Sequence, residues 1–330
     1  MPAFRSSLFG VLVASLASPL LASEPNFQDL HTVIEFDQYN VALNMLAVDG
    51  NLIIADSIKN VIAVRGIANR SRRDIMTSQQ PSFLLRLHRN LVAVTDPSEN
   101  QLTIFNWQTG SETFRKQYTQ PNSPWHMTFH NGIIYGANRF DRLIMRFVVD
   151  SKKELRPLPS GSGTTFMHLR GSSLYVLEEG APGNPADDYL AHYDNNYGTL
   201  RSRKKIDGAL RGATIYNRDH LCMAVDIANY ILCLNTEKRE WQSAPTHPSP
   251  ARLVEANGDL WVIARGLQNR DDDVRLEQFR FVEGSLKRIA SHDLAILPTL
   301  KNARDIAFDA TTKSLLVRGN TNVIAIPLVD

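Results

Sequence analysis

The sequence predicts an all-β chain folded as a closed ring of seven four-stranded antiparallel blades, and three observations carry that prediction. A motif of apolar strand, tight turn, second apolar strand and polar break returns seven times along the chain. Equivalent points at the start of the second strand are Asn51, Asn90, Gly132, Ser173, His220, Asp259 and Ser314, spaced 39, 42, 41, 47, 39 and 55 residues apart. The seventh unit stops one strand short, while the N-terminal part carries an orphan strand, His31–Phe36. A period of about 40–45 residues with about four short strands per unit is the signature of a β-propeller, whose blades bury their faces only against one another.

The units run Leu43–Gly66, Phe83–Gly110, Trp125–Glu154, Phe166–Gly198, Ala213–Glu240, Ala251–Gly284 and Arg304–Asp330. Each reads as strands a, b, c and d. In the first unit, strand a is about Leu43–Ala47, b is Leu52–Ala55 and c is Val61–Val64. Strand c recurs at Leu102–Phe105, Leu143–Val148, Leu190–Tyr193, Tyr230–Leu234, Leu276–Phe281 and Val323–Ile326, rich in the β-branched and aromatic residues that suit a half-buried strand. A polar turn follows, such as Gln108-Thr109-Gly110, and then a more polar d strand such as Glu112–Tyr118 or Thr199–Ile206, the expected outer edge. The seventh unit ends at Asp330 straight after its c strand, so His31–Phe36 is expected to complete that blade, close the ring and cover an exposed edge.

The chain has 330 residues, 43% hydrophobic and 21% charged, which is a globular composition. The repeat argues for one propeller domain over residues 24–330. A net charge of +2 argues against nucleic acid as the main partner. Residues 1–23 read as a signal peptide: Arg5 is the positive region, Leu8–Leu16 the apolar stretch, Pro19 its break, and Ala22 and Ser23 the small residues of a cleavage site. A membrane span needs about 20 apolar residues, and no segment approaches that, so no transmembrane anchor is expected and the location reads as periplasmic or secreted. Both cysteines, Cys222 and Cys233, lie in the fifth unit. If Val225 faces Tyr230 across the hairpin, Cys222 faces Cys233, and an exported chain meets the oxidising conditions in which a disulfide forms. The other reading is two small buried apolar residues. No partner side chains suit zinc.

With the repeat in hand, the chain resembles seven-bladed β-propellers of the broad class that holds YVTN, NHL and lactonase-like proteins, over about residues 31–330. The Trp-Asp endings of WD40 arrays, the sialidase boxes and the kelch double glycines are missing. The resemblance implies a fold and leaves the activity open, because propellers host many functions.

The b–c turns and d–a connections share one face around the mouth of the central channel. The long b–c turns are Glu178–Asp188 and Arg265–Asp273, and the longest d–a connection is about Ser291–Ala303, so a functional site is expected on this face near blades four to seven. At the entrances to a strands stand His126, His168, Arg211, Arg252 and Arg304, and at the ends of b strands stand Arg265 and Arg318. Like charges brought together need neutralising, and arginine forks bind carboxylate or phosphate. Either a bound anion supplies that charge, or Asp56, Asp96, Glu178, Glu179, Asp226 and Asp305 do so internally. The runs Asp271-Asp272-Asp273 and Glu178-Glu179 with Asp187-Asp188 offer oxygen ligands without the spacing of a calcium loop, so no metal is expected. No Gly-x-Ser-x-Gly, HExxH or P-loop is present, and no pattern names a cofactor. The sequence therefore reads as an exported binding or scaffold module for a protein or an anionic small molecule. The alternative is a lactonase-like hydrolase or lyase, with His126 or His168 as base and the arginines stabilising developing negative charge.

Overall fold

The computed structural model describes residues 23–36, 44–77, 80–118, 124, 126–137, 142–161, 163–180, 188–266 and 273–329. Residues 1–22, on which the signal-peptide reading falls, and Asp187, Asp271 and Asp272 lie outside them. Strands a to d of blade one are Met45–Val48, Asn51–Asp56, Val61–Gly66 and Arg72–Met76; those of blade two are Phe83–Arg86, Leu91–Asp96, Gln101–Asn106 and Glu112–Gln117. Blade three has His126–His130, Ile133–Ala137, Leu143–Val148 and Lys153–Pro159; blade four has Thr164–Arg170, Ser173–Glu178, Asp188–Asp194 and Leu200–Ile206. Blade five has Ala209–Tyr216, His220–Asp226, Tyr230–Asn235 and Trp241–Pro245; blade six has Pro250–Ala256, Asp259–Ala264, Arg275–Val282 and Ser285–Asp293. Blade seven supplies Asp305–Asp309, Ser314–Arg318 and Asn322–Val329. Within every blade the strands pair antiparallel in the order a-b-c-d. Each a strand touches the a strand of the next blade, and that of blade seven touches blade one, so the ring is closed.

The outer strand of blade seven comes from the N-terminal segment in two pieces. His31–Glu35 pairs with Asn322–Ala325, and Glu24–Pro25 pairs with Leu328–Val329 farther along the same strand. The amide of Asn26 donates to the Pro327 carbonyl at 2.8 Å between them, and that of Phe36 to Thr321 at 2.7 Å. Sequence periodicity had located the first piece only, because a two-residue strand carries no alternation.

Tight a–b turns explain why the units are so short. Asp49-Gly50, Asn131-Gly132 and Asn257-Gly258 all hold both residues at positive φ, the type I′ geometry that Asn-Gly and Asp-Gly favour. The core is a set of clusters between blades. At the closing joint, Leu316, Val323 and Ala325 of blade seven meet Leu52, Ile54 and Ala63 of blade one, with Ile34 and Phe36 of the closing strand between them. In blade five, Cys222 lies directly opposite Cys233, both fully buried, and the structure joins them as a disulfide.

Candidate functional site

Starts of a strands lie opposite ends of b strands in every blade, so the b–c turns and d–a connections crowd one end of the ring. At that end, blades four, five and six each carry a register shift at the entrance to strand a: Thr164/Phe166, Leu210/Gly212 and Pro250/Arg252. The residues inside the shifts are Thr165, Arg211 and Ala251. A bulge takes one residue out of the ladder and re-aims its side chain. All three bulged residues line one cavity of about 290 Å³, together with His126, Glu179, Leu210, Arg252, Arg265 and Arg304. The ring thus brings together His126 and four of the five arginines singled out by sequence.

Each guanidinium is placed by a distinct local device. Arg211 projects from the bulge, and its Nε donates to Asp226 Oδ2 at 3.0 Å. Arg252 follows the next bulge and donates through Nη1 to the Arg211 carbonyl, while its Nε stands 3.8 Å from Asp305 Oδ1. Arg265 lies just past a b strand and is tethered by its amide to the Ser249 carbonyl at 3.0 Å. Arg304 is fixed by its amide to the Arg318 carbonyl at 2.7 Å. Gly212 permits the close approach of blades five and six, since a Cβ there would lie 2.8 Å from the Ala251 carbonyl oxygen.

Two of the sequence-singled residues stand apart from the cavity lining. Arg318 is buried at 7% exposure, with Nη2 3.8 Å from Asp305 Oδ2, so it backs the site behind that carboxylate. His168 lies well inside strand a of blade four, paired with Tyr175, whereas Glu178 at the mouth pairs with Thr164. It therefore sits toward the opposite end of the blade, where burial first, with His130 and Arg170 nearby adding to it, holds its imidazole down to about 4. The entrance bulge explains the difference: the a strand of blade four begins earlier than its hydrophobic run indicates.

The carboxylates divide between both readings. Asp226 and Asp305 engage arginines, and Glu179 lines the cavity. Asp56 instead caps its own turn by accepting from the amides of Ile58 and Lys59, each at 3.1 Å, and Asp96 does the same for Ser98 and Glu99. Fully buried Glu178 accepts from Gly161 at 2.7 Å and Tyr193 at 2.6 Å and pairs with Arg203 at 3.0 Å. The lining holds four guanidinium groups and the carboxylate of Glu179, with Asp226 and Asp305 beside it paired to Arg211 and Arg252. Sequence reasoning missed Thr165 and Ala251 as lining residues because a bulge leaves no compositional trace, and missed Leu210, which pairs with Val225 just before one. Among the described residues, no group of three or more His, Cys, Asp or Glu side chains is arranged to hold a metal ion. Nor is any helix among them long and apolar enough to cross a membrane.

No protein-family model and no curated protein matches the sequence. Solved structures do match the fold. A streptogramin B lyase superposes with a TM-score of 0.71 at 15% identity, over 91% of this chain and 97% of that one. Virginiamycin B lyase from Staphylococcus aureus gives 0.70 at 16% identity over 91% and 99%, and the WD40 repeats of RRP9 give 0.69 at 11% over 93% and 100%. At such identities the likeness establishes the seven-bladed propeller and carries no activity with it.

Proposed function

We propose that this chain is an exported binding module whose arginine-lined cavity takes a small ligand bearing carboxylate or phosphate groups. The observation that carries this reading is the convergence of Arg211, Arg252, Arg265 and Arg304, from three consecutive blades, on one cavity edged by aligned bulges. Guanidinium forks are suited to planar anions, and bulges recur beside binding sites. Titration with phosphate, sulfate and citrate at low ionic strength tests it. The wild type should gain melting temperature with anion concentration. Arg304→Ala and Arg252→Ala should weaken that response by about tenfold or more, the consequence of losing roughly 1.5–3 kcal/mol for a charged hydrogen bond. Equal shifts in wild type and variants would make the arginines structural and end the proposal.

A second reading, a lyase or hydrolase, is favoured by the presence of His126 and Glu179 in the same lining, and by streptogramin B and virginiamycin B lyases among the fold's neighbours. His126 would accept a proton while the arginines stabilise negative charge building on the substrate. Turnover of a lactone panel by wild type, lost in His126→Ala with anion binding kept, separates this reading from a binding module.

A further inference from the structure

We infer that the cavity at the mouth takes a small zwitterion, with a carboxylate or phosphate at one end and an ammonium group at the other. This rests on the anion-binding reading and narrows it to one ligand class. What carries it is the division of the lining by blade. Among the described residues, all four guanidinium groups come from blades five to seven: Arg211 from five, Arg252 and Arg265 from six, Arg304 from the entrance to seven. Blade four supplies Thr165 and the lining's carboxylate, Glu179, and blade three supplies His126. The cavity is therefore cationic along one arc and carries a negative charge on the other.

Backbone contacts fix the two poles relative to each other. The Glu179 amide donates to the Gly163 carbonyl at 3.0 Å. Gly163 holds a φ of +68°, and a Cβ there would lie 2.8 Å from Glu179 Cβ, so the missing side chain lets the entrance of strand a press against Glu179. Asp188, 4% exposed, then joins the poles. Its Oδ1 accepts from the Gly180 amide at 3.0 Å and its Oδ2 from the Leu210 amide at 2.6 Å. Gly180 follows Glu179, and Leu210 precedes the bulged Arg211. One buried carboxylate thus ties the negative pole of blade four to the bulge that projects the first guanidinium of blade five. A ligand with negative charge alone would be drawn to the arginines and repelled by Glu179. An ammonium group at its far end turns that repulsion into a charged hydrogen bond. A carboxylate has about four acceptor sites, so Glu179 can engage a neighbour in the lining and a ligand together. The volume of about 290 Å³ equals that of roughly ten water molecules at about 30 Å³ each, the size of a single amino acid.

Calorimetric titration at low ionic strength with L-glutamate, 2-hydroxyglutarate and glutarate tests this, because the three differ only in the group on one carbon. The wild type should bind glutamate about tenfold more tightly than glutarate, the worth of one charged hydrogen bond, with 2-hydroxyglutarate weaker than glutamate. Glu179→Gln should erase the preference while still binding glutarate, and Glu179→Asp should keep part of it. The wild-type series stands by itself if a variant fails to fold. Glutarate or 2-hydroxyglutarate binding as tightly as glutamate overturns the zwitterion and leaves an anion site standing. So does a wild type that binds phosphate and none of the three. A preference that survives Glu179→Gln overturns the pairing of the ammonium with that carboxylate. If phosphate, sulfate and citrate fail to bind as well, the anion reading falls with it.

Discussion

His168 occupies a place where a proton is unfavourable. Burial, with His130 and Arg170 nearby, holds its imidazole at about 4 in the folded protein, against 6.5 in an unfolded chain. Between those two values the unfolded state binds more protons than the folded one, so stability rises with pH across the window and is lost as pH falls. Each pKa unit corresponds to about 1.4 kcal/mol; because the ring is partly exposed, the loss by pH 4 should be of order 2 kcal/mol. Melting temperatures measured from pH 7 down to pH 4 should fall, and His168→Gln should flatten much of that fall. The imidazoles of buried His192 and half-buried His292 are also held low, chiefly by desolvation, so a residual slope should persist in the variant. Identical slopes in variant and wild type would show that His168 is already neutral-indifferent. The Cys222–Cys233 bridge is a second residue-scale case. It closes a short loop, for which chain entropy gives roughly 2–3 kcal/mol. Cys222→Ala with Cys233→Ala should lower the denaturation midpoint accordingly, and non-reduced protein should weigh two hydrogens less than reduced protein.

At the scale of elements, the mouth depends on how strands a of blades five and six begin. Gly212 stands where a Cβ would meet the Ala251 carbonyl oxygen at 2.8 Å and Arg252 Nη1 at 3.3 Å. Backbone cannot yield as a flexible side chain does, so Gly212→Ala should push the two entrances apart. The expected result is a loss of roughly 1–3 kcal/mol in stability and a smaller melting-temperature response to phosphate. Wild-type values for both would mean the blades tolerate the added methyl. The same bulges mark the limit of what the sequence discloses. Blade number and strand order were legible because apolar runs such as Leu52–Ala55 and Val61–Val64 alternate with turn residues at a fixed period. The arginines were legible as a set because they fall at strand ends. Thr165 and Ala251 were not, since their role follows from a one-residue slip that reverses facing without changing composition. His168 was misplaced for the same reason, and Glu24–Pro25 was invisible because two residues cannot display a period.

At the scale of the whole molecule, one short segment decides whether seven blades form a ring or an open array. Blades gain stability from their neighbours, and closure gives every blade two of them. Ile34 and Phe36 are buried in the cluster shared by blades seven and one. Exposing two such side chains loses roughly 3–6 kcal/mol, at about 1.5–3 kcal/mol each. Deleting residues 24–36 would also strip the partner from strand Asn322–Val329, leaving its N–H and C=O groups along one edge unpaired. Such an edge invites pairing with another copy, so instability and association should appear together. The truncated chain should show a lower denaturant midpoint, and its elution on a sizing column should shift toward larger species as concentration rises. A point variant separates the two effects: Ile34→Asp keeps the backbone pairing but places a charge in the joint. It should lower stability while remaining largely monomeric. An unchanged midpoint in the truncated chain would mean that blades one and seven hold together through their inner strands alone. The closing strand would then be a cover and not a clasp.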